Sequence, residues 1–274
     1  MNFKNKTVIV TGGASGIGRA SAIGFAERGA AVAVLDRNND AGESVVQEIR
    51  RAGGVADFFS VDIGVCVQVE LAVGAAIKEF DGVDILAHCA GIQSYGTATN
   101  TLEEEWRNTL AVDLDGAFYV SKFCIPQMIR RGGGSVVITG STQSLVAHRN
   151  SAAYVTGKHA VVGLVRSIAL DFAPQNIRAN CVLPGAIDTP MIRWGASLDP
   201  HPEQVIDACH HLALLGRMGT AEEVANVIVF LSSNLASYVT GTTVVVDGGQ
   251  MVPCGGTAFQ KVGTGASEKE TDDL

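Results

Sequence analysis

The sequence predicts an α/β fold, a doubly wound seven-stranded parallel sheet with helices on both faces. Three observations point to it. Short β-branched apolar runs alternate with longer segments of helical period from the N-terminus to about residue 246. The short runs are continuously apolar rather than alternating, the pattern of strands buried on both faces. Their carboxyl ends carry glycines and acids, Gly12, Asp36, Asp62 and Gly91 among them, and ligands lie at those ends in such sheets.

The elements follow in order. Thr7-Val8-Ile9-Val10 is a buried strand by length and branching, and a helix begins after Gly18. Ala31–Asp36 is the second strand. Asp40–Ala52 is a surface helix stopped by Gly53-Gly54, and Val55–Val61 is the third strand. Val65–Phe80 reads as a helix and Val83–His88 as the fourth strand. Thr101–Arg131 reads as one long helical stretch, with Thr101-Leu102-Glu103-Glu104 as a capped start and Gly132-Gly133-Gly134 as its stop. Ser135–Thr139 is the fifth strand and delivers Ser141 to a loop at its carboxyl end. Ser151–Ala173 is a helix, Ile177–Val182 the sixth strand, Glu222–Ser232 a helix and Thr242–Val246 the seventh strand. The stretch from about 190 to 219 has no clean period and reads as an insertion serving as a substrate lid. No repeat and no linker divides the chain, so one domain is expected over residues 1–253. Residues 254–274, rich in Gly, Ser, Thr and charge, read as a polar tail.

Composition narrows the function. The chain has 274 residues, 47% hydrophobic and 18% charged, enough to bury a sizeable core. A net charge of −8 argues against a nucleic-acid or anionic-membrane surface. No apolar run reaches membrane-spanning length. Met1 to Lys6 lead straight into a strand without a signal-peptide core, so a cytoplasmic protein is expected. Cys66, Cys89, Cys124, Cys181, Cys209 and Cys254 lack zinc or redox spacing and read as reduced, buried thiols.

Two patterns carry chemistry. The first strand ends in Thr11-Gly12-Gly13-Ala14-Ser15-Gly16-Ile17-Gly18 and passes into a helix. Glycines let the backbone approach a pyrophosphate, and the helix start offers free N–H groups and a positive dipole end. The spacing is Gly12-x-x-x-Gly16-x-Gly18 rather than the literal G-x-G-x-x-G. Asp36, eighteen residues after Gly18, is placed to accept hydrogen bonds from adenosine ribose hydroxyls and to repel a 2′-phosphate. That favours NAD over NADP. The alternative is a turn or helix-start acid, and Arg37 beside it would accommodate a phosphate. The second pattern is Tyr154-Val155-Thr156-Gly157-Lys158, early in its helix. Tyr and Lys four apart project from one face. Lowering a phenol from about 10 to about 7–8 takes roughly 3–4 kcal/mol. A unit charge about 4 Å away at an effective dielectric of about 20 supplies roughly 4 kcal/mol. One lysine is therefore enough in principle to make Tyr154 an acid/base near neutrality. The spacing alone is common, and the plain alternative is a half-buried Tyr beside a snorkelling Lys.

In order, these motifs resemble the short-chain dehydrogenase/reductase family from roughly Phe3 to Gly249. The turn with Gly12, Ser15, Gly16, Ile17 and Gly18 looks like its cofactor turn, and Asp62 with Ile63 matches its adenine-contacting position. Ser141 precedes Tyr154 by thirteen residues, the family's interval between catalytic serine and tyrosine, and Tyr154-x-x-x-Lys158 is its catalytic pair. Pro184-Gly185, Ile187 and Thr189 fall on its nicotinamide-side loop, and Asp247-Gly248-Gly249 matches its last-strand ending. The tyrosine–lysine interval argues against the enoyl reductase branch, and the glycine spacing against the extended epimerase/dehydratase branch.

The resemblance implies a Rossmann-like fold and reversible hydride transfer between NAD and a secondary alcohol. It also implies a homotetramer built partly on the helices of Thr101–Arg131 and Ser151–Ala173. Tyr154 is then the general base, Lys158 depresses its pKa and holds the nicotinamide ribose, and Ser141 stabilises the substrate oxygen. Two positions depart from the pattern. The family's Asn-Asn-Ala-Gly is His88-Cys89-Ala90-Gly91 here, and Asp113 stands where the family has an Asn whose backbone carbonyl holds a relay water. A backbone role survives that change. A buried carboxylate must nevertheless be protonated, paired or hydrogen-bonded, and it would stabilise charged Lys158 and blunt its effect on Tyr154. The change is either tolerated or alters the relay.

Gln93, Ser94, Tyr95, Gln143, His148 and Trp194 fall in segments that line the substrate pocket in look-alikes, and suit a sugar or polyol. Ile92, Leu145, Val146, Met191 and Ile192 are near them and suit an apolar cyclic alcohol or ketone. The polar substrate is slightly favoured. His148, His201, His210 and His211 have no partners of metal-site spacing, so no metal is expected. A 3-oxoacyl reductase and a non-catalytic NAD-binding protein remain the alternatives.

Overall fold

Seven β-branched runs become seven strands in the computed structural model, which describes residues 1–252. The polar tail expected at 254–274 lies outside the described residues. The strands are β1 (Thr7–Thr11), β2 (Ala31–Asp36), β3 (Val55–Ser60), β4 (Ile85–His88), β5 (Gly134–Thr139), β6 (Ile177–Pro184) and β7 (Thr243–Val246). They form one sheet in the order β3-β2-β1-β4-β5-β6-β7, and every neighbouring pair is parallel. The direction of winding reverses between β1 and β4, where Thr11 lies opposite His88. Connections leave these two strands toward opposite faces, so their carboxyl ends part into a crevice.

Two apolar layers close the sheet. On one face lie α3 (Cys66–Phe80), α5 (Gly116–Arg130) and α6 (Ala152–Phe172), which bury Val73, Val120 and Val165 against Ile9, Leu86 and Ile138. On the other lie α1 (Gly16–Ala26), α2 (Asn39–Arg51) and α9 (Ala221–Ser232), with Phe25, Ile49 and Ile228 against Val8, Val32 and Val182. Each such side chain, fully buried, contributes about 1.5–3 kcal/mol relative to exposure. The sheet is therefore a rigid floor, and its crevice is held to a fixed shape.

Two segments differ from the sequence expectation. The stretch 101–131 is not one helix. α4 (Glu103–Leu110) passes through a π-helical turn, Ala111–Asp115, into α5. The π turn carries Asp113 inward, and a hydropathy period cannot show it because the apolar residues on both sides still repeat at helical spacing. Thr101 does not cap α4 either. Its hydroxyl donates to the Thr97 carbonyl, and Glu105 closes the start by accepting from the Leu102 N–H at 3.2 Å. The second segment, 190–219, holds two helices, α7 (Pro190–Ala196) and α8 (Pro202–Leu212). Both open on a proline at their first position. α8 contains no buried residue, so its apolar side chains serve a cleft rather than the core, and its period is thinly supported in sequence.

Candidate active site

The turn after β1 doubles back under α1. Gly12 has a φ of +65°, and a Cβ there would lie 2.8 Å from the Ala90 backbone. A Cβ on Gly18 would run into the Gly12 carbonyl oxygen. The start of α1 therefore sits hard against the glycine turn. Ser15 makes no side-chain bond to the helix it precedes, and the first turn carries no acid. Ser15, Gly16, Ile17 and Gly18 line a cleft of about 260 Å³, and an uncapped helix start suits an anion. Asp36 and Arg37 line the same cleft at the end of β2. The Asp36 carboxylate accepts from the Ala14 N–H at 3.1 Å and the Asn38 N–H at 3.0 Å, so its position is fixed by backbone donors. Asp62, whose Oδ1 accepts from the Gly64 N–H at 2.9 Å, completes the lining with Ile63, Cys89, Ala90, Gly91 and Thr189. These residues fit a dinucleotide, with pyrophosphate at the helix start and ribose beside Asp36.

His88 and Cys89 keep the two strand ends tied together without the family's amides. Thr11 Oγ1 accepts from the Cys89 and Ala90 N–H groups at 3.2 and 3.3 Å. Its own proton then goes to His88 Nδ1, 2.9 Å away, which leaves the buried Nε2–H of His88 without an acceptor. Burial, helped by the Lys158 charge, pushes His88 down to about 3, so the ring is neutral. The Cys89 thiol is pushed up by burial.

The second cleft, of about 390 Å³, adjoins the first and shares Ile17, Cys89, Gly91, Thr189 and Met191 with it. Ser141 caps a 3₁₀ turn, Thr142–Ser144, just beyond β5. Its Oγ accepts from the Gln143 N–H at 3.1 Å, and its N–H donates to Ser144 Oγ at 3.1 Å. The Ser141 proton is not used by these two contacts, and its pull on the Tyr154 phenol places it on that side of the cleft. α6 brings Tyr154 and Lys158 to the same cleft, both buried. Lys158 Nζ lies 5.4 Å from the Tyr154 ring centroid and 3.5 Å from the Thr139 carbonyl.

Asp113 sits behind this pair and lines neither cleft. Its Oδ1 accepts from the Ile92 N–H at 2.8 Å and lies 3.8 Å from Lys158 Nζ, while Oδ2 has no partner. Gly91 makes room for the approach, since a Cβ there would lie 3.0 Å from Lys158 Nζ and 3.1 Å from Asp113 Oδ1. Burial pushes Asp113 up to about 6, against the pull of Lys158 and the Ile92 bond. For Lys158, burial works against the charge, but Asp113 and Tyr154 outweigh it and hold its pKa above the ordinary value. The Tyr154 phenol departs from the sequence expectation. Burial raises its pKa above the ordinary value, Asp113 adds to this, and the opposing pulls of Lys158 and Ser141 do not cancel it. The simple arithmetic of one lysine left out desolvation and the carboxylate on the lysine's far side.

Gln93, Gln143 and His148 line the second cleft, as do Pro184, Gly185 and Ile187. Trp194 does not line it. The indole stacks on Tyr95, which does, with ring centroids 6.1 Å apart and planes 23° apart. Leu145 and Val146 are exposed and lie outside the lining. Val205, Cys209 and Leu212 of α8 and Gln250 were missed in the sequence. The 205/209/212 spacing is one helical face, and was the available signal.

A family model described as Enoyl-(Acyl carrier protein) reductase matches residues 12–251. Dehydrogenase/reductase SDR family member 6 of Danio rerio is 35% identical over 245 residues, which is 89% of this chain and 96% of the relative. The chain belongs to the short-chain dehydrogenase/reductase family. Cyclohexanol dehydrogenase of Acinetobacter sp. (strain SE19) is 36% identical over 250 residues, 90% of this chain and 95% of that one. The ligand-free structure of Thermoplasma acidophilum aldohexose dehydrogenase superposes with a TM-score of 0.85 at 38% identity, covering 94% of this chain and 98% of its own. As a short-chain dehydrogenase/reductase, the protein is an oxidoreductase of alcohols and ketones that uses a nicotinamide dinucleotide, NAD or NADP. Among the described residues no helix is long and apolar enough to cross a membrane.

Proposed function

We propose that the protein is an NAD-dependent dehydrogenase of a secondary alcohol that presents both a polar and an apolar side. The observation that carries this reading is the convergence of Ser141, Tyr154 and Lys158 on a cleft continuous with a dinucleotide cradle that ends in Asp36. Asp36 supports NAD, because a 2′-phosphate would meet its backbone-fixed carboxylate. Gly12 and Ser15 to Gly18 would hold the pyrophosphate, and Lys158 the nicotinamide ribose. When bound, the nicotinamide supplies the hydride acceptor.

The protein's own work is proton transfer and charge stabilisation. Ser141 Oγ donates to the alcohol oxygen and stabilises the charge that develops there. The Tyr154 phenolate takes the alcohol proton. Lys158, kept charged by Asp113, pulls the Tyr154 phenol down against the burial that raises it.

Nicotinamide absorbance with NAD and NADP, over a panel of sugars, polyols and cyclic alcohols, tests the reading. Tyr154→Phe is expected to lose a factor of roughly 10²–10⁴ in turnover. Preference for NADP would overturn the role given to Asp36. The buried Asp113 beside Lys158 favours a second reading, a non-catalytic NAD-binding protein. Tight NAD binding with no turnover, in wild type and Asp113→Asn alike, would support that reading. A homotetramer is also proposed, supported by exposed Phe118 and Ile129 on α5 and Leu170 on α6, and light scattering of the purified protein measures it.

A further inference from the structure

We infer that Val205, Cys209 and Leu212 of α8 select a secondary alcohol whose body beyond the carbinol is hydrocarbon. The inference rests on the alcohol dehydrogenase reading and narrows it, since the polar side of the substrate is then its carbinol alone. The three residues share one face of α8 at helical spacing, and all three line the cleft that Ser141 and Tyr154 also line. Met191 and Ile192 of α7 join them there. No residue of α8 is buried, so this face takes no part in the core. The fastening of the segment is a second, independent observation. Its base is closed by the Asp188 N–H donating to the Gly219 carbonyl and the Gly219 N–H donating to the Ala186 carbonyl, both at 2.9 Å. Beyond that base, among the described residues, no hydrogen bond or ion pair joins residues 190–212 to any residue outside 188–219. The stack of Trp194 on Tyr95 joins α7 to another wall of the cleft, and α8 meets the cleft through apolar side chains without a polar anchor.

A hydrocarbon body laid against that face removes apolar area from water on both partners. A body bearing hydroxyls gives up its water there and must find partners in exchange. The cleft has few to give. Gln93 Nε2 already donates to the Ser94 carbonyl at 3.1 Å, Ser151 Oγ donates to the Arg149 carbonyl at 3.3 Å, and Gln250 Oε1 accepts from the Ala186 N–H at 3.2 Å. Gln143 Oε1 is itself buried and out of reach of a hydroxyl. The carbinol has Ser141 and Tyr154; its C–H passes as hydride to NAD, its O–H proton passes to Tyr154, and the products are the ketone and NADH.

The test is kcat/KM with NAD for 2-butanol, 2-hexanol and 2-octanol, with sorbitol as the hydroxylated counterpart of 2-hexanol. Each buried methylene favours the longer alcohol by roughly two- to fourfold, so 2-octanol is expected to exceed 2-butanol by at least about tenfold. 2-Hexanol is expected to exceed sorbitol by at least about tenfold. Val205→Ser combined with Leu212→Ser is expected to bring the ratio of 2-octanol to 2-butanol close to one. Ala208→Ser, at an exposed position of α8 outside the cleft lining, is expected to leave that ratio unchanged. A wild-type ratio near one, a preference for sorbitol over 2-hexanol, or a ratio unmoved by the double substitution would overturn the inference. Should the double variant not fold, Leu212→Ser alone, at a residue 42% exposed, decides by the same ratio. If the alcohols are oxidised without a preference for length, or sorbitol is preferred, the dehydrogenase reading stands and only the role of α8 falls. If neither the alkanols nor sorbitol are oxidised with NAD or NADP, both fall.

Discussion

Replacing Asp113 by Asn should stabilise the protein, and only above a definite pH. Asp113 is held at about 6, against an ordinary value of 3.8, because burial disfavours its charge more than Lys158 and Ile92 favour it. A folded-state pKa above the unfolded one means that the fold binds the proton more tightly. The stability this confers is fully present below about pH 4 and is lost as pH rises through about 6. At about 1.36 kcal/mol per unit of pKa, the loss is about 3 kcal/mol. Asn keeps the acceptor for the Ile92 N–H and has no proton to lose. It also removes the carboxylate 3.8 Å from Lys158, which offsets part of the gain. The net gain should be about 1–3 kcal/mol above pH 6, or a rise in Tm of roughly 3–10 °C for a domain of this size. Thermal melts of both proteins from pH 4 to 8 measure it. A difference between the two that is flat across that range, or a variant less stable throughout, would refute the strained-carboxylate argument. The same substitution removes one of the influences that raise the Tyr154 phenol, so the rising, acidic limb of the kcat/KM profile for alcohol oxidation should move to lower pH.

Asp36→Ala should narrow the NAD preference over NADP by at least about tenfold, read as the ratio of kcat/KM for the two, since the carboxylate that repels a 2′-phosphate is gone and Arg37 remains. Gly18→Ala should abolish dinucleotide binding by calorimetry and destabilise by about 1–3 kcal/mol, because its methyl meets the Gly12 carbonyl and the turn must move. Asp84→Ala should cost roughly 2–4 kcal/mol in urea denaturation. Burial works to raise Asp84, but the Thr7 N–H at 2.9 Å, Lys6 at 2.9 Å and Arg131 at 3.1 Å outweigh it and hold its pKa below the ordinary value. Its contribution is therefore present above about pH 4 and fades as pH falls further.

The strands and the cofactor cradle were legible in sequence because both are written locally. A run such as Ala31–Asp36 is buried on two faces, and only continuous apolar character satisfies that. The turn from Gly12 to Gly18 needs glycine where a Cβ would collide, and those collisions are the reason for the spacing. Ser141, Tyr154 and Lys158 were placed by their intervals. What sequence left out depends on elements distant in the chain. The Tyr154 phenol is raised first by desolvation, which pairwise spacing on α6 does not show, and this tips a balance that Asp113, forty-one positions earlier, was expected only to blunt. Trp194 looked like a pocket wall, yet its indole on α7 stacks on Tyr95, a packing partner distant in the chain. α8 escaped because its apolar face serves the substrate cleft, where three positions are too few to establish a period.

The π turn at Ala111–Asp115 has a consequence for how this segment tolerates change in length. A π turn holds one residue more than an α turn, so each residue beyond it is rotated by about 100° from where an unbroken helix would put it. That offset lets α4 and α5 share one stretch of chain yet keep separate orientations. It points Val112 and Asp113 inward and still lays Ala117, Val120, Cys124 and Met128 along the sheet. Removing a single residue here would roll α5 by the same angle, lifting that apolar stripe off the core. An insertion nearby would do the reverse. The carboxylate behind Lys158 and the seating of α5 are thus set by one shared phase, and neither can drift in length without the other.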